Sequence, residues 1–581
     1  MKRNSDPNPG APLSAPVPRT DSVLVVFLSS LIFSFAHWQA LARYWVINDD
    51  VRQQIFWMQQ WRDGRLFPGD LLTDYARAYV PWGVKGLYRL ASLGLDPLTF
   101  SKWLAGLLFV LLGWLLFRIG CRLGSRRLAW FTAGVYWLMP FFLENLSGGL
   151  ARAFAAPLLA FFCLSWLAAS PWGLGLALLL QALFIPYIFL VGAGATALAW
   201  LAGRRGHRAA PAWINWGHLL IIAAGAGLVL LMNHRFSAAG FGPLVSAADM
   251  AGRPEFTARG RFAILPGPSF LWELISPWEY IAPFPEGGIM GGVLGVAVLL
   301  GVAVWGGRRL NWQHLKVRLQ PFCYLLLASV FLYFLARVFL LKLFVPDRYL
   351  IYTLNLCYCL GLALCLEGAL GRRAWPRGLA VAAVALVVVL SGLRLQGVEL
   401  YDYSTYRPLY AALAQTPKNA LIAGHPNLMD NVVTFGKRPA LATFELAHPW
   451  SKGYWEKIRP RLEEFFSAYY ASDPRVVRDF CRKYGISYLV VDDRHFTPQF
   501  LAGGGFPVPF NQPPGKETTE MRERVTCPFF APFDQQIQGL VQNRRNFVLL
   551  NQDLFPGLVV DEHQRLLDMR PPPPAPASSG G

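Results

Sequence analysis

Apolar residues run along this chain in long blocks rather than in the narrow stripes of a soluble protein. The blocks lie near 23–45, 103–117, 128–143, 153–169, 174–201, 217–232, 288–305, 321–345, 349–366 and 379–395. Uncharged blocks of this length read as membrane-spanning helices. Four of the connectors carry cations and no acids: Arg118 to Arg127, Arg204 to Arg208, Arg308 to Arg318, and Arg372 to Arg377. With Lys2, Arg3 and Arg19 of the N-terminal tail, they mark one face of the membrane, the cytoplasmic one by the positive-inside rule.

That assignment requires an even number of crossings between successive basic connectors. Three blocks lie between Arg127 and Arg204, which is odd. The third, Leu174 to Leu201, exceeds the roughly 17–25 residues that one crossing needs, and Pro186-Tyr187 interrupts it. Splitting it there restores the parity and gives about eleven spans. The two halves are then short, as befits spans that line a cavity or thin the bilayer. The N-terminus falls inside, and everything after the last span falls outside.

Composition agrees with a membrane protein: 54% hydrophobic residues, 15% charged, and a mean hydropathy of +0.34 over 581 residues. A net charge of +19 would suggest nucleic acid in a soluble chain. Here the cations belong to the short connectors, so no nucleic-acid partner is expected. The first twenty residues are polar and Pro-rich and lack the apolar core of a cleavable signal, so the first block is expected to stay as a span. Most of the eight cysteines lie in or beside apolar blocks. Cys481 and Cys527 lie beyond them and are free to pair in an oxidising compartment.

The external segments hold most of the carboxylates of the membrane half. The first loop, 46–101, opens with Asn48-Asp49-Asp50. Val51, Ile55, Met58 and Trp61 then recur at helical spacing, which predicts an amphipathic helix along the interface with Trp57 and Trp61 at headgroup depth. One of the two aspartates fits the N-cap of that helix. A tandem pair is one carboxylate more than a cap requires, and an acid at the mouth of a bundle can serve as general base. Asp74, where a second surface helix is expected up to Ala91, and Glu144 in the second external loop are weaker candidates.

The order of these parts resembles the GT-C glycosyltransferase superfamily, which includes oligosaccharyltransferases, protein O-mannosyltransferases and the transferase that adds aminoarabinose to lipid A. The resemblance rests on the architecture and on three segments: NDD at Asn48 to Asp50, SGGLARAFAAP at Ser147 to Pro157, and PDRYL at Pro346 to Leu350. The segment AGHPNLMDNVVTFGKRPAL looks like external domains of bacterial members. The resemblance implies an inverting transferase of the bacterial inner membrane. Its donor would be a polyprenyl-phosphate-linked sugar, its acceptor a glycan, lipid or protein at the periplasmic face. Asp50 or Asp49 would act on the acceptor hydroxyl. The metal-dependent branch of the superfamily carries Asp-x-Asp in an early external loop. Neither of the first two loops has it here, so a divalent metal is not supported.

A lipid phosphate also needs cations at the outer headgroup level. Arg348 stands at the external start of the tenth span. Arg337 and Lys342 fall in the outer half of the ninth, Arg337 about eight residues from its end, where an unpaired charge is costly. Arg152 begins the fourth span, and Arg261 lies in the external loop 233–287. Arg348 and Arg337 rank first, then Arg152.

Two other classes remain open from sequence. A transporter or flippase typically carries paired inverted repeats and charges near the bilayer midplane; no repeat is visible, and the charges sit at the outer edge. A non-enzymatic scaffold would use the acidic pair only as a cap.

The expected architecture is therefore an all-α polytopic bundle of about eleven transmembrane helices with a C-terminal extracytoplasmic α/β domain. A cytoplasmic tail covers 1–21, the membrane domain 22–397, the external domain 398–570, and a Pro-rich tail 571–581. Within the external domain, Ala420–Gly424, Val432–Thr434 and Ser487–Val491 read as strands, and Tyr454–Ala471 and Pro474–Tyr484 as helices. Asp492-Asp493 and His425 end strands and are read as structural.

Overall fold

A computed structural model describes residues 19–205, 211, 213–251, 253–256, 262, 267, 269–275, 288–371, 376–497, 500 and 547–570. Residues 1–18 and 571–581 of the expected tails, Arg261 and Cys527 lie outside these residues, while 19–21 of the expected N-terminal tail belong to the first helix. Cys481 is buried.

Each predicted apolar block contains at least one helix. In chain order these are α1 (Arg19–Ala36), α4 (Pro97–Leu123), α5 (Arg126–Leu138), α6 (Ala155–Leu167), α7 (Pro171–Phe184), α8 (Pro186–Arg204), α9 (Trp216–Ala238), α10 (Gly288–Arg308), α11 (Gln320–Val338), α12 (Ile351–Leu370) and α13 (Arg377–Arg394). The first loop supplies α2 (Leu71–Tyr79) and α3 (Trp82–Ala91). Among the described residues seven helices are long and apolar enough to cross a membrane: α1, α4, α8, α9, α11, α12 and α13. The block 174–201 breaks at Ile185, whose backbone leaves the helical region before Pro186 (φ −153°, ψ 79°). The break is where the parity argument puts it. The second half is nevertheless longer than expected, because α8 continues to Arg204 and reaches full crossing length.

Four of the five basic segments meet at one end of the bundle. Arg126 is ion-paired with Asp21 of α1 (Nη2 to Oδ1 2.6 Å). Arg127 donates to the carbonyl of Gly371, and Arg318 Nη1 donates to the carbonyl of Leu123 (2.9 Å). Cations that sequence alone groups by composition are thus neighbours in space, as a single membrane face requires.

The opposite end carries the first loop and the C-terminal domain, stitched together by two short strands. β1 (Val46–Ile47) follows α1, and β2 (Tyr401–Asp402) follows α13; they pair antiparallel, Val46 with Asp402 and Ile47 with Tyr401. The amide of Gly397 donates to the carbonyl of Ala36 (3.0 Å), so the ends of α1 and α13 are adjacent.

The C-terminal domain holds a four-stranded mixed sheet. β3 (Ile422–Ala423) runs parallel to β4 (Tyr488–Asp492); β4 pairs antiparallel with β6 (Gln564–Asp568), and β6 with β5 (Gly557–Val559). Helices α14 (Lys452–Tyr469) and α15 (Pro474–Tyr484) connect β3 to β4. This is the expected α/β order with one correction. Val432–Thr434 is not a strand: it belongs to a wide helical turn, Val432–Gly436, that continues the helix Pro426–Asn431. Three β-branched residues in a row favour a strand locally. Here Val432, Val433 and Thr434 are all fully buried, and packing decides.

The interfacial helix expected at 51–61 is also corrected. The segment forms a single helical turn, Val51–Gln54, and then a tighter turn, Phe56–Trp61. Ile55, Phe56, Trp57 and Met58 are consecutive and apolar on all sides, so no polar face is left for water. All four are buried, covered by the domain: Gln53 Nε2 donates to the carbonyl of Glu445 and Gln59 Nε2 to that of Thr434, each at 2.9 Å. Trp57 is therefore a core residue rather than a headgroup anchor.

Candidate active site

The tandem acids sit directly after β1, and the structure gives them different tasks. Asp49 Oδ1 accepts from Arg52, through Nε at 3.1 Å and more closely through Nη2, and from the hydroxyl of Tyr403 at 3.0 Å. Arg52 is 1% exposed. It also donates to Asn431 Oδ1 (3.0 Å) and lies over the Tyr403 ring (4.4 Å). Asp49 is thus the counter-ion of a buried arginine that ties the first loop to the C-terminal domain.

Asp50 occupies the N-cap position of the turn Val51–Gln54, yet its side chain makes no capping bond. Its carboxylate instead pairs with Arg152, both side chains about a quarter exposed. Its amide is taken by Asn48 Oδ1 (3.1 Å), which fixes the turn. A carboxylate relieved of its capping duty and turned toward a partly accessible arginine is available for chemistry.

The segment Ser147-Gly148-Gly149 explains how Arg152 arrives there. Gly148 and Gly149 have left-handed backbones (φ 79° and 60°). A Cβ on Gly148 would stand 3.0 Å from Asn48 Cβ and from Val51 Cγ2; one on Gly149 would stand 2.8 Å from the carbonyl of Ser101. Glycine is needed twice, for the conformation and for the approach. The Tyr88 hydroxyl donates to the carbonyl of Gly149 (3.0 Å) and pins the turn. The chain then enters the helical turn Ala151–Phe154, with Arg152 facing Asp50.

Arg348, in the turn Pro346–Tyr349 before α12, extends the cationic line. Its Nη1 donates to the Tyr352 hydroxyl (3.4 Å), which donates to Asn145 Oδ1 (3.0 Å) and receives from the Tyr187 hydroxyl (3.5 Å). Asp347 lies 3.8 Å from Arg348 Nε. Arg348 and Arg152 stand close enough to repel each other, and Arg152 feels both Asp50 and Glu399. Two guanidinium groups that feel each other's charge at the mouth of a bundle have the chemistry to hold a phosphate.

The remaining candidates separate. Arg337 is the penultimate residue of α11, not eight residues inside it: the helix stops at Val338, and Leu341 (φ 62°) and Phe344 (φ 71°) reverse the chain. Arg337 donates to the Tyr333 hydroxyl at 3.0 Å and lies near Glu273. Lys342 lies in that reversal, exposed and outside any span. Asp74 makes a surface pair with Arg77 on α2 (3.7 Å). Glu144 is half-buried beside Asn145. Asp492 and His425 are interior, Asp492 bound to Arg494 (2.6 Å) and Gln564 (3.0 Å), as expected of structural residues.

Two acids were not singled out from sequence as part of this site. Glu273, on the short helix Phe270–Ile275, is 4% exposed and faces Asp347, Arg348 and Arg337; burial, with Asp347 beside it, raises its carboxyl to about 7. Glu399 lies between α13 and β2, where its Oε2 and its carbonyl accept from Asn48 Nδ2 (3.3 and 3.2 Å). Burial raises its carboxyl, Arg152 lowers it, and Asp50 and Asp49 raise it. A lone acid just past the last apolar block was the available signal for Glu399. Among the described residues no three His, Cys, Asp or Glu side chains are grouped to hold a metal ion. Asp49 is paired with Arg52, Asp50 with Arg152, and Glu399 accepts from Asn48.

No protein-family model matches this sequence, and no curated protein matches it. Among solved structures, the chain is similar to the oligosaccharyltransferase of Archaeoglobus fulgidus in its apo form, at 14% identity and a TM-score of 0.45 over 83% of this chain and 70% of that one. It is similar to archaeal oligosaccharyltransferase AglB from the same organism in complex with an inhibitory peptide and a dolichol-phosphate, at 14% identity and a TM-score of 0.48 over 83% and 71%. It is also similar to ArnT from Cupriavidus metallidurans in the apo state, at 15% identity and a TM-score of 0.36 over 82% and 94% of the two chains.

Proposed function

We propose that this protein is an integral membrane glycosyltransferase that moves a sugar from a polyprenyl-phosphate donor to an acceptor at the external face of the membrane. The observation that carries the reading is the Asp50–Arg152 pair with Arg348 beyond it, at the end of the bundle opposite the basic connectors. In this reading Asp50 is a base next to an anion cradle made by Arg152 and Arg348. In this reading the face is periplasmic, in a bacterial inner membrane, and the acceptor is a glycan, lipid or protein.

Asp50 takes the proton of the acceptor hydroxyl. The acceptor oxygen attacks the anomeric carbon from the side opposite the phosphate, forming the new C–O bond with inversion. The bond from that carbon to the phosphate oxygen breaks, and its electron pair leaves with the polyprenyl phosphate. Arg152 and Arg348 offset the charge that develops there. Arg152 also faces Asp50, so one guanidinium links base and leaving group. Glu273 lies near both Arg348 and Arg337.

Polyprenyl phosphate alone tests the cradle. Added to the detergent-solubilised protein, it raises the unfolding temperature, since a ligand that binds only the folded state stabilises it by mass action. Arg348→Ala with Arg152→Ala removes that shift. An equal shift in the double variant overturns the assignment of the cradle.

A further inference from the structure

We propose that Tyr187 is a further binding residue of this site, a neutral hydroxyl that joins Arg152 and Arg348 on the donor phosphate. The proposal rests on the transfer reaction above.

Tyr187 is the second residue of α8, just past the break at Ile185, and its side chain is half-buried. The hydroxyl protons around it follow from their partners. Asn145 Nδ2 donates to the carbonyl of Phe141 (2.9 Å), which leaves Oδ1, an acceptor only, for the Tyr352 hydroxyl at 3.0 Å. Tyr352 has then used its one proton. Its oxygen accepts, from Arg348 Nη1 at 3.4 Å and from the Tyr187 hydroxyl at 3.5 Å. Hydroxyl pairs normally sit about 2.7–2.8 Å apart, so Tyr187 loses little by turning its proton to a stronger acceptor. Arg348 and Tyr187 share Tyr352 as acceptor, and both border the space that a phosphate on Arg348 enters.

Packing does not account for the hydroxyl. The Tyr187 ring stacks on Phe344 (centroids 5.3 Å apart, planes at 12°) and on Tyr352 (6.2 Å, 27°). A phenylalanine would keep both stacks, and within the protein the hydroxyl adds only the long bond to Tyr352. Phe344 is 40% exposed and left-handed (φ 71°), a conformation that a bulky residue keeps only where its surroundings enforce it. The reversal after α11 thereby seats a ring against Tyr187. The chemistry has a use for one more donor there. When the bond to the anomeric carbon breaks, a further phosphate oxygen becomes free and charged. Arg152 is paired with Asp50, and Asp347 lies 3.8 Å from Arg348, so each cation already faces a carboxylate. A hydrogen bond from Tyr187 strengthens as the phosphate charge develops and brings no further charge to the membrane.

The test is binding of polyprenyl phosphate to the detergent-solubilised full-length protein, with the uncharged polyprenol of equal length as control. Tyr187→Phe keeps the wild-type unfolding temperature without ligand, weakens polyprenyl phosphate about tenfold and leaves polyprenol unchanged. Phe344→Ala keeps the hydroxyl but unseats the ring, and weakens polyprenyl phosphate by a smaller factor. Equal affinity of wild type and Tyr187→Phe for polyprenyl phosphate overturns the proposal and leaves the two-arginine cradle standing. So does an equal loss for polyprenyl phosphate and polyprenol, or a Tyr187→Phe chain that does not fold, since the hydroxyl is then structural. A wild type that binds polyprenyl phosphate no more tightly than polyprenol overturns the transfer reading as well.

Discussion

The two adjacent aspartates are expected to fail in opposite ways. Asp49→Asn removes the carboxylate that is ion-paired with Arg52, a side chain 1% exposed that also donates to Asn431, lies over the Tyr403 ring and feels the more distant Asp430 and Glu445. Breaking a buried ion pair by deleting one partner typically costs about 3–5 kcal/mol. Asp49 is itself a quarter exposed, so the low end applies: about 3 kcal/mol, or roughly a hundredfold in the folding equilibrium. Asp50→Asn leaves Arg152 beside Glu399 and partly accessible, so about 1 kcal/mol or less is expected. Equilibrium unfolding in mixed detergent, followed by tryptophan fluorescence, measures both. The cycle closes with Arg52→Met: replacing both members of the pair removes the uncompensated charge. Asp49→Asn with Arg52→Met should therefore be at least about 1 kcal/mol more stable than the two single losses summed. A wild-type unfolding midpoint for Asp49→Asn, or a larger loss for Asp50→Asn than for Asp49→Asn, refutes this division of labour.

Gly148→Ala should keep the protein folded but lower transfer by roughly a hundredfold, because the new methyl displaces Asn48 and pulls Arg152 off Asp50 by about an ångström; the assay is turnover alongside an unfolding curve. Arg348→Lys should weaken donor binding, since an ammonium cannot reproduce a planar two-point contact, and titration with polyprenyl phosphate reads this directly. Glu273 gives a stability signature. Its carboxyl is raised from 4.5 to about 7 in the folded state, so the folded protein binds the proton more tightly. Stability falls as pH rises from about 4.5 to about 7, and Glu273→Gln should flatten that stretch of the stability–pH curve.

Much of the membrane half was legible because two of its signals are set by the solvent rather than by packing. Apolar length and connector charge place the helices, and the contacts of Arg126, Arg127 and Arg318 bear out that three of the four basic connectors share an end. The break before Pro186 was legible for the same reason, since parity demanded it. Segments decided by what lies across from them were not legible. Val51–Trp61 has helical spacing, but the C-terminal domain covers it and splits it into two turns. Val432–Thr434 has strand propensity and becomes helical in a closed interior. The apolar block around Arg337 continues to Val345 in sequence, while the helix ends at Val338 in a reversal that composition does not mark.

The candidate site divides along the same line. Asp50, Arg152 and Arg348 stood out in the sequence because acids and arginines at the outer edge of a bundle are costly without a purpose. The separate roles of Asp49 and Asp50 depend on Arg52 and Arg152, whose partners arrive from residues over 100 positions apart in the case of Arg152 and over 350 in that of Tyr403. Glu399 escaped for a related reason. It stands alone in sequence, and only the pairing of β1 with β2 brings it to the first loop.

The central claim is that Asp50 is the base of a sugar transfer from a lipid phosphate. The direct measurement is release of polyprenyl phosphate by purified wild type, Asp49→Asn and Asp50→Asn, each given a polyprenyl-phosphate sugar and an acceptor extract. The account predicts turnover in the wild type, turnover by the folded fraction of Asp49→Asn, and loss of about a thousandfold in Asp50→Asn with its fold intact. Wild-type turnover that survives unchanged in Asp50→Asn contradicts it.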